Sequence, residues 1–433
     1  MSLRTLNFGP LLITLALGAT AANATVIAPA DYDFPYKDPY QATLISALLK
    51  GGNRFKPEVG TLTNLQPNRD KIPYVEGRNQ LVYEFHIASP NAPLVVILAG
   101  LGGSANGGTS EFIADRLGRA GFSTISLPSP YFWQYALAAS KTGIPGIATD
   151  DAKEIYGQIK MVLNHLAITR DVHPRSLGFV GFSMGAFEGV FIAEIDRQQN
   201  ELGIQKFVLI NPPMDLTHGI HMLDSMYLHG LSLGKSAIDG FMSIVLGNGK
   251  ALRARDIDSP DYFVGLEEKL GLPDEGAKFL ASENLESVAP DLVMVSQSIH
   301  QTLPSSVLTA PASPANQTLR ESEAQRFTLG DYMKSLVVPS FLAISGMDPG
   351  RQDIPPSLRT ELSLREHLAE IASDDRLNFM HNEDDFITDP NDLAALEQTV
   401  PNRTMVYPYG GHVENIWYPE NLKHMLDVFE SLK

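Results

Sequence analysis

The chain has 433 residues, 44% of them hydrophobic and 19% charged, a composition typical of a globular protein with a large core. The length predicts one large domain with an insertion, or two to three smaller domains. The net charge of −17 argues against a nucleic-acid-binding protein, and the absence of cysteine excludes disulfides, thiolate metal sites and lipid modification of an N-terminal cysteine.

The first 24 residues have the order of a secretory signal peptide. Arg4 precedes an apolar run at residues 11–17, and the small residues Ala22 and Ala24 follow it. We expect cleavage after Ala24 and export to the periplasm or the extracellular space, because the apolar run is too short to cross a bilayer. No other segment has a continuous apolar run of spanning length, so we expect no transmembrane segment in the mature chain.

Residues 25–90 form an N-terminal extension that is rich in proline, tyrosine and asparagine. It contains one predicted helix and one short predicted strand, at 40–49 and 81–86. From residue 91 onward, strand patterns, the first of them a continuous apolar run at 93–99, alternate with helical patterns. This alternation predicts a mostly parallel sheet flanked by helices, an α/β fold. The strands are predicted at 93–99, 122–127, 176–182 and 206–211, and the helices at 110–120, 151–166 and 185–198.

The alternation stops between residues 214 and 338, where helical patterns dominate. We interpret this stretch as a helical cap, or lid, inserted into a core formed by 91–213 and 339–433. Strands resume at 376–380 and 403–407, and a helix closes the chain. The cap offers apolar side chains that would shape an acyl pocket, although ordinary helix packing explains each of them equally well. They are Met222, Met226, Phe241, Met242 and Leu246.

The pattern Gly-x-Ser-x-Gly occurs twice, centred on Ser183 and on Ser232. A nucleophile elbow requires a strand, a tight turn between small residues, and then a helix. Ser183 has this context, because an apolar strand precedes it and a helical pattern follows it. Ser232 follows a helical pattern, so we interpret it as part of a turn between helices. Ser183 is therefore the candidate nucleophile.

Two glycine-rich segments suggest nucleotide binding, and both fail on context. Residues 100–105 match the dinucleotide pattern G-x-G-x-x-A after a strand, but no acidic residue follows the next strand to hold a ribose. Residues 234–236 read Gly-Lys-Ser, as in a phosphate loop, but the preceding glycine is one residue too close and no strand leads into it. We therefore predict no cofactor.

The candidate base is His412, one of 11 histidines, because it follows the last predicted strand and a Gly-Gly pair. His381 ends a predicted strand, where a structural role is expected. His218 and His221 are spaced like metal ligands on a helix, and His229 lies nearby, but no third ligand is evident and no metal site is predicted.

The strand–GFSMG–helix segment, the AGLGG turn and the late YGGH resemble the α/β-hydrolase superfamily. The resemblance covers residues 94–210 and 376–433. It implies a catalytic triad in the chain order Ser, acid, His, and an oxyanion hole formed by the backbone N–H groups of Leu101 and Met184. Relatives with an H-G-x-x-D pattern place the acid four residues after the histidine, which corresponds here to Asp385.

Three other carboxylates compete for the role of triad acid. Asp215 follows the strand that ends at Asn211, and Asp348 follows residues of strand character. Asp384 precedes Asp385 directly and is expected to point to solvent. The spacing from Asp385 to His412 accommodates one helix and one strand, which favours Asp385.

These features predict an exported serine hydrolase that cleaves the ester bond of a small-molecule or acyl-ester substrate. A peptidase or amidase on the same fold is one alternative, since the triad is shared. A non-catalytic binding protein that retains the fold is the other, and an intact Ser, acid and His set argues against it.

Overall fold

The computed structural model describes residues 25–47, 56–72, 77–252, 271–309, 313–348, 351 and 353–433. The predicted signal peptide, residues 1–24, lies outside them. Within these ranges there are nine strands: β1 Thr25–Val26, β2 Glu58–Thr63, β3 Gln80–His86, β4 Leu94–Leu98, β5 Ser123–Leu127, β6 Leu177–Phe182, β7 Ile204–Ile210, β8 Leu377–Asn382 and β9 Thr404–Tyr407.

The helices before β7 are α1 Pro39–Ala47, α2 Gly108–Arg119, α3 Trp133–Ala138, α4 Ala148–Arg170 and α5 Met184–Gln199. Between β7 and β8 lie α6 Leu216–Ser232, α7 Lys235–Leu252, α8 Asp274–Glu286, α9 Val288–His300, α10 Pro314–Ala324, α11 Leu329–Tyr332, a π-helical turn Met333–Val337, α12 Val338–Ile344, α13 Pro356–Leu362 and α14 Leu368–Ser373. The last two are α15 Pro390–Thr399 and α16 Pro419–Phe429.

All nine strands belong to one sheet in the order β1-β9-β8-β7-β6-β4-β5-β3-β2. The pairs β2–β3 and β3–β5 are antiparallel, and every other neighbouring pair is parallel. Strand β4 lies between β5 and β6, so the chain reverses its direction across the sheet there. Such a switch point leaves a crevice at the carboxyl ends of the strands, where ligands bind in open α/β sheets.

Alternate residues of the central strands point to opposite faces, as the two-residue period of a strand requires. Leu94, Val96 and Leu98 of β4 pack against the helices α4 and α5 on one face. Val95 and Ile97 pack against α2, α16 and the aromatic residues of the N-terminal extension on the other. Both faces of β4 are therefore apolar, which explains why its sequence is a continuous apolar run.

This strand order, with helices on both faces and a sharp turn between β6 and α5, is that of the α/β-hydrolase fold. The predicted fold class is confirmed. The strands predicted from residue 93 to 211 and from 376 to 407 are present in the structure. β1 and β2, which form the two edges of the sheet, were not predicted; edge strands lack the continuous apolar run of central ones.

The sequence between β7 and β8 is helical from Leu216 to Ser373 in its described part, and the sheet resumes at Leu377. The predicted cap, residues 214–338, lies within this stretch, and its bounds as a separate unit stay a prediction. The strand character assigned to the residues before Asp348 is wrong, because residues 338–344 form α12. Val338, Phe341 and Leu342 are its buried residues, and their three- and four-residue spacing is helical. None of the helices in the described ranges is long and apolar enough to cross a membrane.

Candidate active site

Ser183 occupies the sharp turn between β6 and α5. Its backbone has φ 54° and ψ −124°, an unfavourable conformation for a residue with a side chain. A Cβ atom at Gly181 would lie 2.1 Å from the carbonyl oxygen of Gly185, and one at Gly185 would lie 2.2 Å from that of Leu98. The two flanking glycines are therefore required by close backbone contacts, which is the physical basis of the Gly-x-Ser-x-Gly pattern.

Ser232 lies in a different environment. It is the exposed last residue of α6, and its hydroxyl donates a hydrogen bond to the carbonyl of His229. The turn to α7 consists of Leu233 and Gly234. Ser232 itself is therefore still helical and directly precedes the turn, so it does not have the strand, turn and helix context of Ser183.

His412 connects Ser183 to Asp385. Its Nε2 lies 2.7 Å from Ser183 Oγ, and its Nδ1 lies 3.1 and 3.0 Å from the two carboxylate oxygens of Asp385. All three residues are buried. A carboxylate that accepts from Nδ1–H holds the imidazole in the tautomer whose Nε2 accepts the Ser183 hydroxyl proton.

Further donors hold Asp385 as an ion. Asn211 Nδ2 donates to its Oδ2 at 2.8 Å, and the backbone N–H of Ile387 donates to its Oδ1 at 3.2 Å. Burial opposes ionisation of this carboxyl, but the charge and hydrogen bond of His412, the charge of His381 and the hydrogen bond from Asn211 outweigh it and hold the pKa of Asp385 below its ordinary value. Asp385 is therefore ionised at neutral pH.

Asp384 is turned toward the loop that carries His412, so the expectation that it points to solvent is wrong. It is half-buried, and its carboxylate accepts hydrogen bonds from the backbone N–H groups of Gly410 and Gly411 at 3.2 and 2.9 Å. Burial raises the pKa of Asp384 to about 7. The backbone amides of two glycines with positive φ are within reach, and they attract the side chain inward.

The other two acid candidates lie elsewhere. Asp215 caps α6, where its carboxylate accepts from the backbone N–H groups of Thr217 and His218. Asp348 follows α12 in the helical stretch. The ring nitrogens of His412 contact Asp385 and Ser183 instead.

The glycine turn after β4 lies directly against Ser183. A Cβ atom at Gly100 would lie 3.0 Å from Ser183 Cβ, so this turn needs glycine to approach the elbow. Met184 is the first residue of α5, and the N–H groups of a first helical turn have no intrahelical acceptor. Leu101 and Met184 both line the narrow space beside Ser183. Their role as N–H donors to an oxyanion stays a prediction.

Two cavities meet at Ser183 and His412. The wider one has a volume of about 440 Å³ and a mixed lining that includes the polar residues Thr43, Ser104, Asn284, Ser287, Asp291 and Glu414. The narrower one has a volume of about 50 Å³ and a mainly apolar lining that includes Leu216, Ile220, Leu223, Leu285, Met333 and Ile387.

The apolar residues proposed for an acyl pocket from the sequence do not line either cavity. Phe241 is buried in the core and Met226 packs against it, whereas Met242 and Leu246 are exposed. Met222 and Met226 lie in α6, and this helix does border the narrow cavity. They are not on the side of α6 that faces it. Without the positions of neighbouring helices, the sequence does not indicate which side of a helix faces a cavity.

The N-terminal extension contributes to the site, which the sequence did not predict. The Thr43 hydroxyl in α1 accepts a hydrogen bond from the His412 backbone N–H at 3.0 Å and donates to the Pro39 carbonyl at 2.8 Å. A Cβ atom at Gly411 would lie 2.2 Å from that carbonyl oxygen. The first turn of α1 thus packs closely against the backbone of the His412 loop.

Two of the other histidines singled out in the sequence have structural surroundings. His381 is fully buried in β8, and its Nε2 lies 3.3 Å from the Pro212 carbonyl; burial lowers its pKa. His229 pairs with Glu275 at the surface. Within the part of the chain that the structure describes, no group of three or more His, Asp and Glu side chains is arranged to hold a metal ion.

Comparison with known proteins finds no matching family model and no matching curated protein. Similar solved structures include a thioesterase domain from the curacin biosynthetic pathway, with 12% identity over 87% of this chain and 100% of that chain and a TM-score of 0.38. An esterase from Pyrococcus furiosus is 12% identical over 88% of this chain and 97% of that chain, with a TM-score of 0.40. The α/β hydrolase GrgF from a Penicillium species is 12% identical over 87% and 99%, with a TM-score of 0.41. At such low similarity the fold assignment rests on the sheet order and the turn at Ser183.

Proposed function

We propose that the chain is an exported serine hydrolase that cleaves carboxylic esters, with Ser183 as nucleophile, His412 as general base and acid, and Asp385 as the triad acid. The observation that carries the proposal is the continuous chain of contacts from Ser183 Oγ through the His412 ring to Asp385, at 2.7 and 3.0 Å. A serine is activated by such a base when a third group orients the base.

In the first half of the reaction, Ser183 Oγ attacks the ester carbonyl carbon while its proton moves to His412 Nε2. The N–H groups of Leu101 and Met184 stabilise the resulting oxyanion. When the tetrahedral intermediate collapses, the bond from carbon to the alcohol oxygen breaks and His412 donates its proton to that oxygen. The alcohol leaves, and the acyl group stays on Ser183 as an ester.

In the second half, water replaces the alcohol. His412 takes a proton from the water as its oxygen attacks the acyl carbon, and a second tetrahedral intermediate forms. Its collapse breaks the bond to Ser183 Oγ, which regains the proton from His412, and the carboxylic acid is released. Asp385 stays ionised throughout and stabilises the imidazolium form of His412. All proton transfers use residues of the chain, so the proposal requires no cofactor.

Labelling with a fluorophosphonate probe tests the nucleophile, with the second Gly-x-Ser-x-Gly serine as a matched control. Ser183→Ala should abolish both labelling and ester hydrolysis, whereas Ser232→Ala should retain both. Loss of activity in Ser232→Ala with retention in Ser183→Ala would refute the assignment. Ester and amide substrates with the same acyl group, assayed in parallel, separate an esterase from an amidase or peptidase.

Four asparagine variants test the acid. Asp385→Asn should lower kcat about 10⁴-fold at neutral pH with the fold preserved, because an amide favours the wrong tautomer of His412. Asp215→Asn, Asp348→Asn and Asp384→Asn should each lower kcat far less. A collapse of kcat in one of these three, with near-normal turnover in Asp385→Asn, would move the role to that residue.

Export is supported by the order of the first 24 residues: a basic residue, an apolar run and the small residues before Thr25. With cleavage after Ala24, the mature chain would start at β1. It would then carry one positive charge fewer than the full chain, because Arg4 is the only charged side chain in the leader.

A further inference from the structure

The narrow cavity beside Ser183 is bounded by α6, α11 and the π-helical turn, and its lining includes no Asp, Glu, Lys or Arg. The wide cavity, in contrast, carries carboxyl, amide and hydroxyl groups. The two cavities share Leu101, Tyr131, Ser183, Leu285 and His412. A substrate carbonyl at Ser183 would therefore extend one substituent into an apolar space and the other into a polar one.

The two halves of the proposed reaction make different demands on these spaces. The alcohol must leave and water must take its place next to His412, and polar walls favour water. The acyl group stays bound while this exchange happens, and an apolar wall stabilises it without admitting water. The narrow cavity fits the acyl group of the ester, and the wide cavity fits the alcohol.

Gly219 of α6 is unexpected at the narrow cavity. It lies inside a helix, where glycine is less favourable than alanine because its backbone loses more conformational freedom on folding. No positive φ requires glycine there. A Cβ atom would meet only Ile387, with its carbonyl oxygen at 3.4 Å and its Cβ at 3.8 Å, which are ordinary contacts. The protein itself therefore leaves room for a side chain at position 219.

We propose that the narrow cavity is the acyl site and that Gly219 is the specificity-determining residue that sets its depth for apolar acyl groups. This inference rests on the proposed function. The glycine keeps free a space that the helix would more stably fill with alanine, and that space opens beside Ser183 and His412. In a cavity of about 50 Å³, one added methyl group removes a substantial part of the volume.

Gly219→Ala should therefore have opposite effects on stability and on the use of longer substrates. The melting temperature should stay the same or rise, since alanine is the better helix former. The ratio of kcat/KM for p-nitrophenyl hexanoate to that for p-nitrophenyl acetate should fall about tenfold, the lower end of the effect of one methylene in an apolar pocket.

Gly157→Ala is the matched control. Gly157 lies inside α4, a Cβ atom there would meet nothing within 4 Å, and the residue lines neither cavity. This variant should gain stability in the same way and keep the wild-type preference for acyl length. Leu223→Ala, which enlarges the narrow cavity, should shift the preference toward longer acyl groups.

Two ester series give the decisive readout: one varies the acyl chain with a constant alcohol, and the other varies the alcohol with a constant acetyl group. The proposal expects Gly219→Ala to alter the first series only. An unchanged acyl profile in folded Gly219→Ala, or a change confined to the alcohol series, overturns the assignment of the acyl site. If wild-type protein hydrolyses no ester and Ser183 is not labelled, the proposed function itself is refuted, and this inference with it.

Discussion

The contact between Thr43 and the His412 backbone allows a sharp test of how the N-terminal extension contributes to the site. Thr43→Val keeps the shape of the side chain and removes its hydroxyl. The His412 N–H, in a residue with only 4% of its surface exposed, would lose the acceptor that now lies 3.0 Å away. Valine fits where threonine fits, so the close approach of α1 to Gly411 should be maintained.

A buried N–H without an acceptor costs about 1–3 kcal/mol. The His412 loop can avoid this cost by shifting until the N–H finds another acceptor. Such a shift moves His412 away from Ser183, and we expect the activation barrier to rise by about the same free energy. At about 1.4 kcal/mol for each factor of ten, we expect kcat to fall about 5- to 150-fold. The readout is kcat, because Thr43 also lines the wide cavity and its substitution can change KM directly.

The assay measures kcat and KM on an ester for the wild type, Thr43→Val and Thr43→Ser, with active sites titrated by the fluorophosphonate probe. Thr43→Ser keeps the hydroxyl and should restore most of kcat. Wild-type turnover in Thr43→Val would refute the reasoning, and so would an equal loss in Thr43→Ser, since the defect would then not depend on the hydroxyl.

Three further outcomes are expected. Gly185→Ala should destabilise the protein by about 3 kcal/mol or prevent folding, because the new Cβ would lie 2.2 Å from a backbone oxygen; a normal denaturation midpoint would contradict the requirement for glycine. Burial raises the pKa of Glu188 well above its ordinary value, and the negative charge of Asp151 raises it further. The native state therefore keeps a proton that the unfolded chain releases above about pH 4.3, so stability falls by up to about 1.4 kcal/mol per pH unit as the pH rises from there toward the folded pKa. Glu188→Gln should flatten this decline in urea unfolding between pH 5 and 8, and an unchanged slope would count against it. N-terminal sequencing of exported protein should begin at Thr25, and retention of Met1 would contradict the predicted cleavage.

The sequence by itself determined the fold class and the position of the elbow, because both depend on local patterns. A continuous apolar run predicted β4, and shorter segments of strand character predicted β5 to β9. The context of Ser183 is equally local, since strand, tight turn and helix occur within a few residues. The clash of a Cβ atom at Gly181 or Gly185 with nearby backbone follows directly from that turn.

Spacing to His412 favoured Asp385 over Asp348, and the resemblance to the H-G-x-x-D pattern favoured it over Asp384. Only the tertiary structure brought Asp385, His412 and Ser183 within hydrogen-bonding distance. The inward orientation of Asp384 toward the glycine amides of the His412 loop was missed, because it depends on how β8 and β9 lie side by side. Their catalytic roles stay predictions until the variants are measured.

The tertiary structure also decided which residues surround the triad. Thr43 is 369 residues away from His412 in sequence, and Asn211 is 174 residues away from Asp385. Nothing in the local sequence of either residue indicates such a contact, because it depends on which strands become neighbours and where α1 packs. The local sequence does not indicate the cavity at Gly219 either. A helical pattern identifies the helix, but only the packing of α6 against Ile387 and its other neighbours determines which residue faces the space beside Ser183.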